Sequence, residues 1–188
     1  MTSAPVTDDS GRLQARIETL EQEKRHLLAV VEILQEIAGS LHFVDVVQAV
    51  TRRLGEAFGL DRCSIFLAER GGETVRLVAS YEDPSIRNYV VDLARYPELR
   101  RALETGQTVF IPDVASDPGL RHAQDSLASR RVKNITVIPI TWRGVPIGAI
   151  FLRTFRDGPA FTEGDVHFCQ VVASLTAISC FCLYRTYH

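Results

Sequence analysis

The sequence predicts an α+β domain: a central antiparallel sheet, helices from the two chain ends on one face, inserted segments on the other, and a parallel coiled coil in front. Three observations predict it. Leucine recurs every seventh residue, at Leu13, Leu20, Leu27, Leu34 and Leu41. β-rich runs follow that meet through short turns at Gly71-Gly72 and Arg143-Gly144. Helical patterns gather at the two chain ends, and strands joined by hairpins beside segregated helices are the mark of an α+β layering.

With the leucines at heptad position d, Ile17, Lys24, Val31 and Ala38 fall at position a. A seam of that spacing stays dry only when a second helix covers it, and β-branched residues at a with Leu at d favour a parallel pair. Lys24 is a polar register device, and Arg16 at g faces Glu21 at e of a parallel partner. A long amphipathic helix packed on its own domain remains the alternative. The helix is expected over residues 11–41, after a disordered segment 1–10. Leu28, Val30, Ile33 and Ile37 widen its stripe, so the coil is expected to run into a larger bundle.

A second helix is expected from Val44 to Phe58, with Val46, Val47, Val50, Leu54 and Phe58 on one face and Gly59 as its stop. Strands follow at 63–68 and 74–79, with a short one around Val90, Val91 and Leu93. Pro97 suits the first turn of a helix that runs to Thr105 and ends at Gly106. A strand is expected over Thr108–Ile111, a loop over 112–119 and a helix over 123–131. The hairpin 135–142 and 147–152 comes next. Pro139, which cannot donate a ladder bond, must sit there at an edge or a bulge. Thr162 with Asp165 three residues on makes a capping box for the last helix. That helix is apolar on two sides, so it needs two partners: its own sheet and its twin across a dimer.

The chain has 188 residues, 46% of them hydrophobic, and a formal net charge of −2. It can bury a real core, and it lacks the basic field that would favour nucleic acid or anionic lipid. The most apolar stretch, Val171 to Leu183, is shorter than the about 20 residues a membrane span needs. The four cysteines, Cys63, Cys169, Cys180 and Cys182, have no paired C-x-x-C spacing and read as small buried hydrophobes of a protein in a reducing cytoplasm.

Four stretches in this order resemble a GAF domain: Asp61-Arg-Cys-Ser-Ile-Phe-Leu-Ala68; Thr105 to Val114 with Asp117-Pro118; Ile138 to Leu152; and Phe161-Thr-Glu-Gly-Asp165. The resemblance implies a GAF domain over 42–184 and a tail at 185–188 cut before an output domain. It implies a bacterial, cytoplasmic, non-catalytic sensory or regulatory module, dimeric through its terminal helices. Arg95-Tyr-Pro-Glu-Leu-Arg100 resembles members attached to diguanylate cyclases, and a histidine kinase is another output of the family.

The resemblance also places a ligand pocket between the sheet and the insertions 81–131, with Ser64 and Phe66 on the pocket side. Phe66 could stack a flat ligand or fill core. Phe110 belongs with it as a pocket-filling candidate. Arg95, Tyr96, Asp117, Arg121 and His122 are the polar candidates to cap the pocket, against a solvated-surface reading. The dimerisation set is Leu13, Ile17, Leu20, Lys24, Leu27, Val31, Leu34, Ala38 and Leu41. No catalytic constellation and no metal-ligand spacing stands out, and no resident cofactor is expected. The absence of cysteine between Cys63 and Cys169 argues against a bilin and against sulfoxide-reductase chemistry; only His122 could serve haem. A cyclic nucleotide or another small molecule is the ligand class left open, because Phe161 and Asp165 match half of the family's cyclic-nucleotide signature while Val166 departs from it. A purely structural dimerisation module with no ligand is the rival reading.

Overall fold

The computed structural model describes residues 7–39, 42–69, 71–123, 131–155 and 161–184. Helix α1 spans Thr7–Gly39 and α2 spans Phe43–Phe58. Strands β1 (Arg62–Ala68), β2 (Thr74–Ser80) and β3 (Tyr89–Asp92) follow, then a 3-10 turn at Leu93–Arg95 and helix α3 (Pro97–Thr105). Strand β4 is Val109–Ile111, a second 3-10 turn is Pro118–Ala123, and β5 (Asn134–Trp142), β6 (Val145–Thr154) and helix α4 (Glu163–Tyr184) complete the order.

The elements follow local chemistry closely. Gly59 caps α2 in the left-handed region, φ 56°. Arg143 and Gly144 both have positive φ, 51° and 81°, the mirror-image turn whose twist suits a two-residue hairpin. The capping box forms: Thr162 N donates to Asp165 Oδ2 at 2.8 Å and Asp165 N donates to Thr162 Oγ1 at 3.2 Å. Pro139 lies opposite Ala149, beyond the reach of β4, which pairs only with residues 135–137 of β5. It therefore sits where β5 has become the edge.

Two expectations shift. Helix α1 begins at Thr7 rather than at residue 11, with Asp9 in the first turn where the helix dipole favours acids. The loop 112–119 tightens into a 3-10 turn at its end, and residues 124–130 of the expected helix over 123–131 lie outside the described ones.

The sheet is antiparallel throughout, in the order β3-β2-β1-β6-β5-β4. Its centre is the pairing of β1 with β6, from Arg62↔Arg153 to Leu67↔Gly148. Alternation along these strands sorts side chains onto two cores. Cys63, Ile65, Leu67, Ile150 and Leu152 face α1, α2 and α4. Phe66, Ala149, Phe151, Ile135 and Val137 face α3 and the insertions. The strands cross so closely that a Cβ on Gly148 would lie 2.3 Å from the Phe66 carbonyl oxygen. Trp142 at the hairpin packs against the helix-side core.

Among its described side chains, helix α1 is buried on its own domain along one stripe. Ala29 and Ile33 are buried there and Val30 packs beside them. Gln22 and His26, on the same stripe, bond to Asp165. Gln22, His26, Ala29 and Ile33 are each two residues, about 200°, from a heptad position, so the leucine seam is turned mostly away from the domain, with Val30 at its margin beside Val31. Leu13, Ile17, Leu20, Leu27, Val31 and Leu34 are 42–67% exposed, and Lys24 is exposed with them. The side chain of Ala38 and all of Leu41 lie outside the described residues. On α4, Phe168, Val172, Ala173, Thr176 and Ala177 are buried, while Val171 and Ile178 stand out to solvent.

Gly148→Ala is expected to lower unfolding free energy by about 1–3 kcal/mol in urea titration, since the obstructing atom is backbone and cannot rotate aside.

Candidate functional site

Period-two alternation turns Ser64 and Phe66 to the insertion side of β1, and both are buried. The Phe66 ring meets Phe151 edge-on, with centroids 5.9 Å apart, and Tyr96 meets the same ring edge-on at 6.2 Å. Ser64 is the register partner of Phe151. Three of the residues singled out in the sequence thus converge on one aromatic wall.

Others do not join them. Phe110 lies between buried Val109 and Ile111 with its side chain on the opposite face, 39% exposed. It fills nothing beneath the insertions, because a strand residue cannot share a face with its immediate neighbours. Arg95 ends the 3-10 turn beside Tyr96 and is exposed, as is Arg121. Asp117 is half-buried, and its carboxylate accepts from Gly119 N at 2.8 Å, shaping its own turn. The His122 side chain lies outside the described ones.

Two charged residues stand on this face that sequence reading missed. Arg153 is buried with its guanidinium 5.0 Å from the centre of the Phe151 ring, and its Nη2 lies 3.7 Å from a Glu82 carboxylate oxygen. It shares a face with Ala149 and Phe151, so strand alternation alone could have flagged it. Glu98, in the first turn of α3, is 6% exposed, and its Oε2 has no hydrogen-bond partner among the described residues. In sequence it reads as an ordinary acid at a helix start, and nothing there announces its burial. Desolvation pushes its carboxyl up to about 7 and nearby Asp117 adds to this, while a backbone hydrogen bond and Arg153 pull the other way. Polar and aromatic groups are therefore packed together here in a dry setting.

The helix side differs. Cys63 and Cys169 are both free thiols buried in that core, and burial raises the pKa of each well above the ordinary value. A groove of about 530 Å³ opens between α1, α2 and the start of α4, lined among others by His26, Ala29, Arg53, Phe58 and Asp165. Among the described residues, no three His, Cys, Asp or Glu side chains are grouped to hold a metal ion. No helix among them is long and apolar enough to cross a membrane.

A six-stranded antiparallel sheet with chain-end helices on one face and an aromatic, charge-bearing layer under insertions on the other defines a layered α+β domain. The GAF domain family model matches residues 42–180, and the chain belongs to that family, whose members are typically sensory or regulatory modules of signalling proteins. Solved structures agree in fold. The GAF domain of a phosphoenolpyruvate-protein phosphotransferase from Coxiella burnetii is 18% identical, with a TM-score of 0.73 over 87% of this chain and 96% of that one. Free methionine-R-sulfoxide reductase from Neisseria meningitidis, in complex with its substrate, is 17% identical, with a TM-score of 0.71 over 86% and 91%. The A. aeolicus nlh2 GAF domain in an inactive state is 17% identical, with a TM-score of 0.64 over 84% and 96%.

Glu98 makes stability depend on pH. Its folded-state pKa of about 7 lies above its ordinary 4.5, so the folded state holds the proton more tightly. Stability is expected to fall as pH rises from 4.5 through 7 and then level, by at most about 3 kcal/mol. Urea titrations of Glu98→Gln should show the variant more stable than the native chain at pH 8, with the advantage gone at pH 4.5.

Proposed function

We propose that this chain is a non-catalytic, dimeric sensory module of a bacterial signalling protein, acting in the cytoplasm, in which two α1 helices pair in parallel. The observation that carries this reading is the split of α1 into two opposed faces. One holds the domain through Gln22, His26, Ala29 and Ile33; the other is a heptad of apolar side chains left in solvent. From Leu13 to Leu34 that seam runs about 32 Å, three heptads, and its exposure is costly unless a partner helix covers it. A ligand or partner acting beneath the insertions changes packing around Phe66, Tyr96 and Phe151. The terminal helices carry the change to an output domain, a diguanylate cyclase or histidine kinase being the candidates. The residues that face the sensing layer are Ser64, Phe66 and Tyr96, with Arg95, Asp117, Arg121 and His122 from the segments around it.

Support for a non-catalytic role comes from the chain's own residues, since the fold also carries the reductase named above. Cys63 and Cys169 are both on the helix side, sealed from the insertion layer and held as thiols.

The rival reading, a dimerisation module without a ligand, is favoured by how fully Phe66, Leu99, Leu120 and Phe151 fill the insertion-side core. Thermal shift against nucleotides and amino acids separates the two. A bound ligand at a hundred times its Kd raises stability by about 2.7 kcal/mol, and a flat response across the panel favours the structural module.

Pairing is tested by Leu27→Lys with Leu34→Lys. Both side chains are exposed on the single chain, so the domain is expected to stay folded while sedimentation changes from dimer to monomer. A native chain that sediments as a monomer, or a variant that remains a dimer, sinks the pairing.

A further inference from the structure

Among the described side chains, the hold of α1 on its domain is half polar. Every one from Asp9 to Glu21 is exposed, and the attachment runs from Gln22 to Ile33. Its apolar part is Ala29, Val30 and Ile33. Its polar part converges on one carboxylate. Gln22 Nε2 donates to Asp165 Oδ1 at 2.8 Å, and His26 Nε2 lies 3.1 Å from the same oxygen. The His26 ring is stacked on Phe168, centroids 4.8 Å apart, and tilted against Phe58 at 5.3 Å. Glu32, half exposed, adds an ion pair to the partly buried Arg53 of α2 at 3.0 Å.

Asp165 is 5% exposed and also closes the capping box of α4 through its other oxygen. One buried carboxylate therefore ties the helix that bears the leucine seam to the first turn of the helix that leads towards the chain end. The groove of about 530 Å³ flanks this junction and is lined by Gln22, His26 and Asp165 among others.

We infer that Gln22, His26 and Asp165 form a releasable latch: intact, it fixes the rotational setting of α1 on the domain, and its release frees α1 as a unit while the sheet and α4 stay folded. The inference builds on the paired-helix reading above, because the latch sets the direction in which the seam faces a second copy. Asp165 acts as a positioning residue, with the cap holding it in place for the two donors. Both contacts share one buried carboxylate oxygen, so whatever moves that oxygen acts on the two together. A small displacement of α4's first turn would withdraw the carboxylate from both donors together.

The test is amide exchange in the Leu27→Lys, Leu34→Lys background, where no coil partner protects α1. Gln22→Ala with His26→Phe removes both donors, keeps a ring against Phe58 and Phe168, and leaves the Thr162–Asp165 cap intact. Exchange of α1 amides 22–33 is expected to quicken about tenfold or more, while β1 and β6 amides keep their rates. The latch is overturned if α1 rates stay the same, if α1 is already unprotected before the donors are removed, or if the strands quicken equally. Failure of the pairing reading shows itself separately, as a native chain that sediments as a monomer. The same exchange comparison is then made on the native chain and overturns or supports the latch by the same outcomes.

Discussion

The antiparallel pairing of β1 with β6 is the constraint on which everything else rests. These strands come from opposite ends of the domain, and their register from Arg62↔Arg153 to Leu67↔Gly148 puts them side by side at the middle of the sheet. The close crossing at Gly148 removes one side chain from the layer so that the backbones can meet. Because strand side chains alternate, this one register decides which residues belong to each core. A slip of one residue would exchange Phe66 and Phe151 with Ile65 and Ile150 and empty both layers of their shape.

On the insertion side, that register has an electrostatic consequence. Arg153 arrives over Phe151 with Glu82 nearby, and α3 brings Glu98 into the same dry region. A lone carboxyl would be strongly disfavoured there. Arg153 offsets part of that cost, and protonation takes up the rest, which is why the carboxyl titrates near neutrality rather than among ordinary acids. Ser64, Tyr96 and the aromatic pair stand on the same face, so the layer combines a hydrophobic wall with polar groups, among them the Glu98 carboxyl.

On the other side, α1 carries two opposed faces. Its inner stripe is narrow and partly polar, suited to holding a domain without fusing with it; its outer stripe is longer and apolar. The buried carboxylate of Asp165 joins the inner stripe to α4, so the two helices at the chain ends share one anchoring atom group. Among the described residues this polar junction stands beside the apolar contacts of Ala29, Ile33 and Phe168 in the helix-side core.

Local signals in the chain were sufficient for most elements. The Pro97 start and Gly106 stop of α3, the Thr162–Asp165 cap, the Arg143-Gly144 turn and the Gly59 cap are chemistry within a few residues, and each formed as its residues dictate. Period-two and period-3.6 patterns likewise placed Phe66 and Ser64 on one face and aligned the heptad on one side of α1. What these patterns could not carry is contact between distant segments. Glu98 resembles any helix-start acid until α3 is laid on the sheet, and Phe110 resembles core until the edge strand shows which way it turns. His26 and Asp165 are far apart along the chain and meet only after α1, α2 and α4 have packed. Sequence by itself therefore determined the fold class, the elements and the seam, because those arise from short-range periodicity and capping. Tertiary structure alone decided burial of charge and the partners of the polar groups, because desolvation and hydrogen bonding depend on which surfaces close over one another.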